Sequence, residues 1–240
     1  MSPLLLIITA LVYIVALVLL WRERSLRYLL MLLAGHLTML LTPIWQRLYA
    51  IETVDGASLA QFGRFDLPWS VIVGGGVLLA LPPLLFYYGL RHRWWPRHYA
   101  AIWTGYLVFV IYFLVAERLL ASAGVQLFND ALIVGNTSIP AAIVQAVLVA
   151  GVSLGMLYAL VSTRHYALEV ALLPLLLSGI VASLLFLGIF ASPLWVAGLL
   201  GQSGLLVASG ALVSLLLVLW GVHLLASGLH AGRRQQLLWR

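Results

Sequence analysis

The sequence predicts an all-α integral membrane protein of about seven transmembrane helices, with the N-terminus outside and the C-terminus in the cytoplasm. Three observations carry this. The 240 residues are 64% hydrophobic and only 8% charged, where a water-soluble domain carries roughly 25% charged residues. Seven apolar stretches are each long enough to bridge a bilayer, whose hydrocarbon core of about 30 Å needs about 20 helical residues at 1.5 Å apiece. The charges between those stretches alternate in sign along the chain. Residues 1–240 are therefore read as a single transmembrane helical domain, whose lipid-facing residues are as apolar as its core.

Taken in order, the first span covers 3–21. It has almost no positive flank before it and no small-residue cleavage site after it, so it reads as a retained helix and not a removed leader. Arg22, Arg24 and Arg27 follow. The second span, 28–49, leads into the acidic Glu52, Asp55 and Asp66 of the polar connection 51–67. The third, 68–90, contains Gly74, Gly75, Gly76, Pro82 and Pro83 and ends at Arg91, Arg93 and Arg97. The fourth, 99–120, carries Glu117 and Arg118 at its outer end. A rather apolar segment, 121–139, suits a short interfacial helix, and Asn136, Thr137 and Ser138 match a glycosylation acceptor. The fifth span, 140–162, carries Gly151 and Gly155 at the spacing of a close-contact dimer face and is followed by Arg164. The sixth, 168–190, has an uncharged connection after it. The seventh, 204–229, precedes Arg233, Arg234 and Arg240.

Arginines concentrate in cytoplasmic connections. The single orientation that satisfies every connection puts ten of the thirteen inside, in the cytoplasmic (inner) membrane. Trp21, Trp45, Tyr49, Trp69, Trp94, Trp95, Tyr99, Trp195 and Trp239 fall at span ends, where indole and phenol rings favour the headgroup layer.

Composition also excludes chemistry. The thirteen basic residues are all Arg, so no retinal Schiff base can form. The chain has no Cys, which excludes iron-sulfur clusters, thiolate metal sites and thiol relays. The net charge of +6 is dispersed in short runs between apolar segments, a pattern that fits membrane orientation and not nucleic acid. Gly201, Gln202, Ser203 and Gly204 resemble the serine motif of intramembrane proteases over four residues. However, Ser203 and His223 bracket one helix and stand about 30 Å apart along it, too far for a dyad. The sequence has no paired carboxylates and no phosphate loop, so a non-enzymatic role is expected.

Two kinds of feature remain as candidate sites. His36 and His223 lie inside spans two and seven at similar depth. Neutral imidazoles so placed can hold haem b iron axially or a chlorophyll-type magnesium, and Gly35 and Gly221 beside them leave room for a flat ring. The competing role is a structural hydrogen bond to a neighbouring helix. Gly74, Gly75, Gly76, Pro82 and Pro83 predict a broken third helix with freed carbonyls, the kind that lines solute sites in transporters. Glu117 is the candidate polar group of an outward-facing site.

Thr42, Pro43, Ile44 and Trp45 also echo Ser192, Pro193, Leu194 and Trp195 at the outer ends of spans two and six. That echo hints at a three-plus-one-plus-three repeat. The expected function is a membrane subunit or lipophilic-ligand-binding protein within a larger complex or homo-oligomer. The alternatives are a small-solute transporter and a tetrapyrrole-carrying subunit.

Overall fold

A computed structural model describes residues 3–48, 58–62, 65–69, 71–94, 99–122, 141–200 and 204–238. Seven helical segments in it have the length and apolarity to cross a membrane: Leu6–Glu23, Arg27–Trp45, Val71–Arg91, Tyr99–Ala116, Ile143–Ser162, Leu168–Phe190 and Gly204–His230. They coincide with the seven expected spans to within a few residues. Span one is α1 (Pro3–Glu23), span four α5 (Tyr99–Ser122) and span five α6 (Ala141–Ser162). The 35-residue α9 (Gly204–Leu238) carries span seven and continues past it, about 52 Å in all at 1.5 Å per residue. The interfacial helix and glycosylation acceptor expected within 121–139 lie outside the described residues, apart from the last turn of α5.

Spans two, three and six depart from the simple picture. Span two is broken: α2 (Arg27–Met39) stops, the chain turns at Leu40 and Leu41, and α3 (Thr42–Leu48) begins. Span six is broken in the same way. There α7 (Leu168–Ser183) continues as a π-helix (Leu184–Phe190), turns at Ala191 and restarts as α8 (Ser192–Leu200). Span three starts as a π-helix (Val71–Gly75) and passes into α4 (Gly76–Arg91). The connection before it, expected as a polar loop, folds as an antiparallel hairpin of β1 (Ser58–Phe62) and β2 (Phe65–Pro68).

The two breaks have one chemical cause. A proline lacks the N–H that would bond the carbonyl four residues back, which is Met39 for Pro43 and Ile189 for Pro193. The preceding hydroxyl supplies the missing donor: Thr42 Oγ1 bonds the Met39 carbonyl at 2.5 Å and Ser192 Oγ bonds that of Ile189 at 2.7 Å. Each proline then opens a new helix at its first turn, where its fixed φ is favourable. The backbone N–H groups of Ile44 and Trp45 bond the Leu41 carbonyl, as those of Leu194 and Trp195 bond that of Ala191. Spans two and six thus share a sequence pattern and the hydrogen-bond pattern it dictates.

Pro82 and Pro83 behave differently. α4 runs through both as an α-helix, without the turn seen in spans two and six. The carbonyl that Pro83 would orphan, that of Leu79, accepts the hydroxyl of Ser153 from α6 at 2.9 Å, and Ser153 is wholly buried. A neighbouring helix closes the gap that proline opens.

Packing places spans three and five at the centre, with most of their residues buried. α2 packs on α4 and α7, α4 on α6, and α9 on α6 and α8. Close approaches between backbones set this order. A methyl at Gly35 would collide with the Gly76 carbonyl, and one at Gly179 with Thr38 Oγ1. Gly151 and Gly155 face Phe186 and Ala182 of span six, so the stripe expected to mark a dimer face is used inside the chain.

Candidate functional site

His36 sits where α1, α2 and the π-helical start of span three meet. Its Nδ1 lies 2.8 Å from the Ile72 carbonyl oxygen and its Nε2 lies 2.6 Å from the Tyr13 hydroxyl. A carbonyl can only accept, so Nδ1 carries the proton. In the neutral imidazole Nε2 then accepts from Tyr13. The two rings are parallel to within 3°, and the three groups form a polar chain linking spans one, two and three. Ile72 belongs to the π-helical turn, where the regular hydrogen-bond ladder is interrupted, and His36 supplies a donor to it. Ser153 likewise donates from α6 to the Leu79 carbonyl, so two carbonyls of span three accept from polar side chains of adjacent helices.

His223 lies elsewhere. It is exposed on α9, with Nδ1 2.7 Å from the Tyr99 hydroxyl of α5 and the two rings edge to face. The structure does not bring His36 and His223 together. The space beside Gly35 is taken by the Gly76 backbone and that beside Gly221 by the ring of Phe190. His36 has its only lone pair engaged by Tyr13. A tetrapyrrole held between these two histidines does not fit this geometry. Among the described residues no group of three or more His, Asp or Glu is placed to hold a metal ion.

The remaining candidates divide. Gly74, Gly75 and Gly76 are buried at the junction of the π-helix and α4, against α2: Gly75 faces Met39 and Gly76 faces His36. Pro82 and Pro83 are buried within α4. Glu117 belongs to α5, away from this junction in sequence, and its side chain lies outside the described set.

Sequence reasoning missed a second polar cluster. Glu23, at the end of α1, bonds the Tyr28 hydroxyl at 2.8 Å and pairs with Arg91 and His92 at 3.0 Å each. A single carboxylate among arginines does not show in a count of basic residues. The missing signal was its sign: a lone acid in a basic turn has every reason to find a partner across helices. Arg27 was likewise counted only for orientation. Its terminal nitrogens donate to the carbonyls of Arg164, Thr163 and Tyr166 at 2.8, 3.0 and 2.8 Å, capping the chain as it leaves α6, where a cation is favoured.

At the opposite end, the two breaks converge on one residue. Trp195 Nε1 donates to the Gly188 carbonyl at 3.2 Å, and the Trp45 ring would touch a side-chain carbon at Gly188, at 3.7 Å. The indole N–H of Trp45 is buried without a hydrogen-bond partner in the structure. No family model, no curated protein and no solved structure matches this chain.

Proposed function

We propose that this chain is a multi-pass protein of the cytoplasmic membrane that carries a small solute between two three-helix bundles, spans one to three and five to seven, joined by span four. The single observation behind this reading is the matched pair of breaks. Thr42 to Trp45 and Ser192 to Trp195 end their spans with one hydrogen-bond pattern and meet at Gly188. Repeated bundles with discontinuous helices at their interface are the architecture by which membrane carriers expose one site alternately to each side. The buried, unpaired N–H of Trp45 at that interface supplies a donor for a solute bearing an acceptor, since buried polar groups otherwise find a partner. The arginine-rich end faces the cytoplasm under the positive-inside rule.

The test is distance measurement between spin labels at Ile44 and Val196, both exposed, in the reconstituted protein. Alternating access requires two distance populations at this end. One narrow distribution in every condition would remove the support for a carrier.

A second reading, a subunit of a larger membrane assembly, is favoured by the first span. Only 11% of Leu6–Glu23 is buried, against 72% for spans three and five, and Leu6, Ile7, Leu11, Ile14, Val15 and Val18 are all exposed. A partner helix would cover that surface in place of lipid. Gentle extraction should then give a particle larger than one chain, cross-linked through cysteines placed at Leu11 or Val15. A strictly monomeric particle would sink this second reading and leave the carrier reading standing.

A further inference from the structure

At the arginine-rich end a cavity of about 40 Å³ opens between the last turns of α4 and α6, lined by Tyr87, Leu90, Arg91, Val161 and Arg164.

Both of its cations are engaged with residues that do not line it: Arg91 with Glu23, and Arg164 through Nε, which donates to His165 Nε2 at 2.6 Å. Glu23 has a side chain only 7% exposed and is bonded by Arg91, His92 and Tyr28, so Arg91 is anchored at one edge of its guanidinium. The Tyr28 ring packs edge-on against Tyr87 of the cavity wall. The turn that carries Arg164 is clamped by the bonds from Arg27 to the carbonyls of Thr163, Arg164 and Tyr166.

Helix C-termini repel anions through their unpaired carbonyls, and here several carbonyls at and just beyond these ends have donors. Arg27 covers the exit from α6, while the N–H groups of His92 and Trp94 close the Tyr88 and Gly89 carbonyls of α4. In this end of the described chain, Arg22, Arg24, Arg27, Arg91, Arg93 and Arg164 outnumber the carboxylates Glu23 and Glu169, and such a field concentrates anions at its concave points.

We infer that this cavity binds a phosphate group between the guanidinium groups of Arg91 and Arg164. A basic pocket between helices at the cytoplasmic surface is the setting in which anionic phospholipid headgroups are held, and planar guanidinium groups match phosphate oxygens in pairs. The same chemistry serves a lipid headgroup or a free phosphate, and the two sources are separable by experiment.

The full chain is reconstituted in nanodiscs of phosphatidylcholine, with or without phosphatidylglycerol. Retained lipid is counted by native mass spectrometry after partial delipidation, and inorganic phosphate is titrated against thermal stability in the discs lacking phosphatidylglycerol. Loss of one charge-assisted pair in R164Q should reduce retention of phosphatidylglycerol by about tenfold, while R22Q, on the exposed surface outside the cavity, retains it. Stabilisation by inorganic phosphate that R164Q abolishes, without lipid retention, supports the site with free phosphate as its occupant. If R164Q does not fold, R164K is read in its place, and the same loss is expected in smaller measure because a point charge lacks the paired donors. Wild type and the folded variant behaving alike in both arms would overturn the inference.

Discussion

Ser153 and His36 are polar residues buried or half-buried in an apolar bundle, and each donates to a carbonyl of span three, in the case of Ser153 one that Pro83 leaves without its helical donor. Removing the donor leaves that carbonyl bare, at a cost of about 1–3 kcal/mol for a buried group. S153A is therefore expected to lower unfolding stability in detergent by about 1 kcal/mol, towards the modest end found for hydrogen bonds between membrane helices. The mechanism makes a sharper claim about Pro83. An alanine there restores the helix's own donor to the Leu79 carbonyl, so S153A should cost less in the P83A background. A double-mutant cycle should show coupling of about 0.5–1 kcal/mol, and strictly additive losses would show that Ser153 does not act through Pro83. For His36, replacement by Leu exposes both the Ile72 carbonyl and the Tyr13 hydroxyl. H36L should be destabilised by about 1–3 kcal/mol, and adding Y13F should recover part of that loss.

The helices themselves are joined by backbone contacts that tolerate no extra carbon. α2 meets span three at Gly35 and Gly76 and meets span six where Gly179 faces Thr38. A valine at Gly179 has to displace Thr38 and its bond to the Ala34 carbonyl. Overpacking of this kind costs about 1–3 kcal/mol, and G179V should show it as a lowered melting temperature. G198V, where a side-chain carbon meets nothing within 4 Å, should leave it unchanged. Equal behaviour of the two variants would contradict the helix order described here. The breaks in spans two and six were legible as a repeated four-residue pattern, but their form was not. That required the hydroxyl of Thr42 or Ser192 to be seen bonding the carbonyl its proline frees. The π-helical form of the turns was not legible: Gly74 and Gly75 mark an irregular stretch in span three without specifying a π-helix, and Leu184–Phe190 reads as ordinary apolar helix.

Across the whole molecule, orientation is the property most open to test. The chain contains no cysteine, so single cysteines can be labelled without background. In intact cells D55C should react with an impermeant maleimide while R93C and R234C should react only after the membrane is opened. Labelling of R234C from outside would reverse the arrangement and, with it, the leaflet proposed to supply the phosphate. The Glu23 cluster, the Arg27 clamp and the proposed phosphate site all depend on arginine-rich ends of different spans lying side by side.

Length and apolarity along the chain were sufficient by themselves to count seven helices able to cross a membrane and to place their ends to within a few residues, because each is a local property set against a bilayer of known thickness. The same residues could not say which helix lies beside which. Apolar faces fit lipid and protein equally well, so hydrophobic pattern carries no information about neighbours. Tertiary structure alone decided that His36 bonds Tyr13 and Ile72, that Gly151 and Gly155 pack within the chain, and that Glu23 finds Arg91. In each case a polar atom or an absent side chain could be satisfied only by one partner, brought there by the packing of helices far apart in sequence.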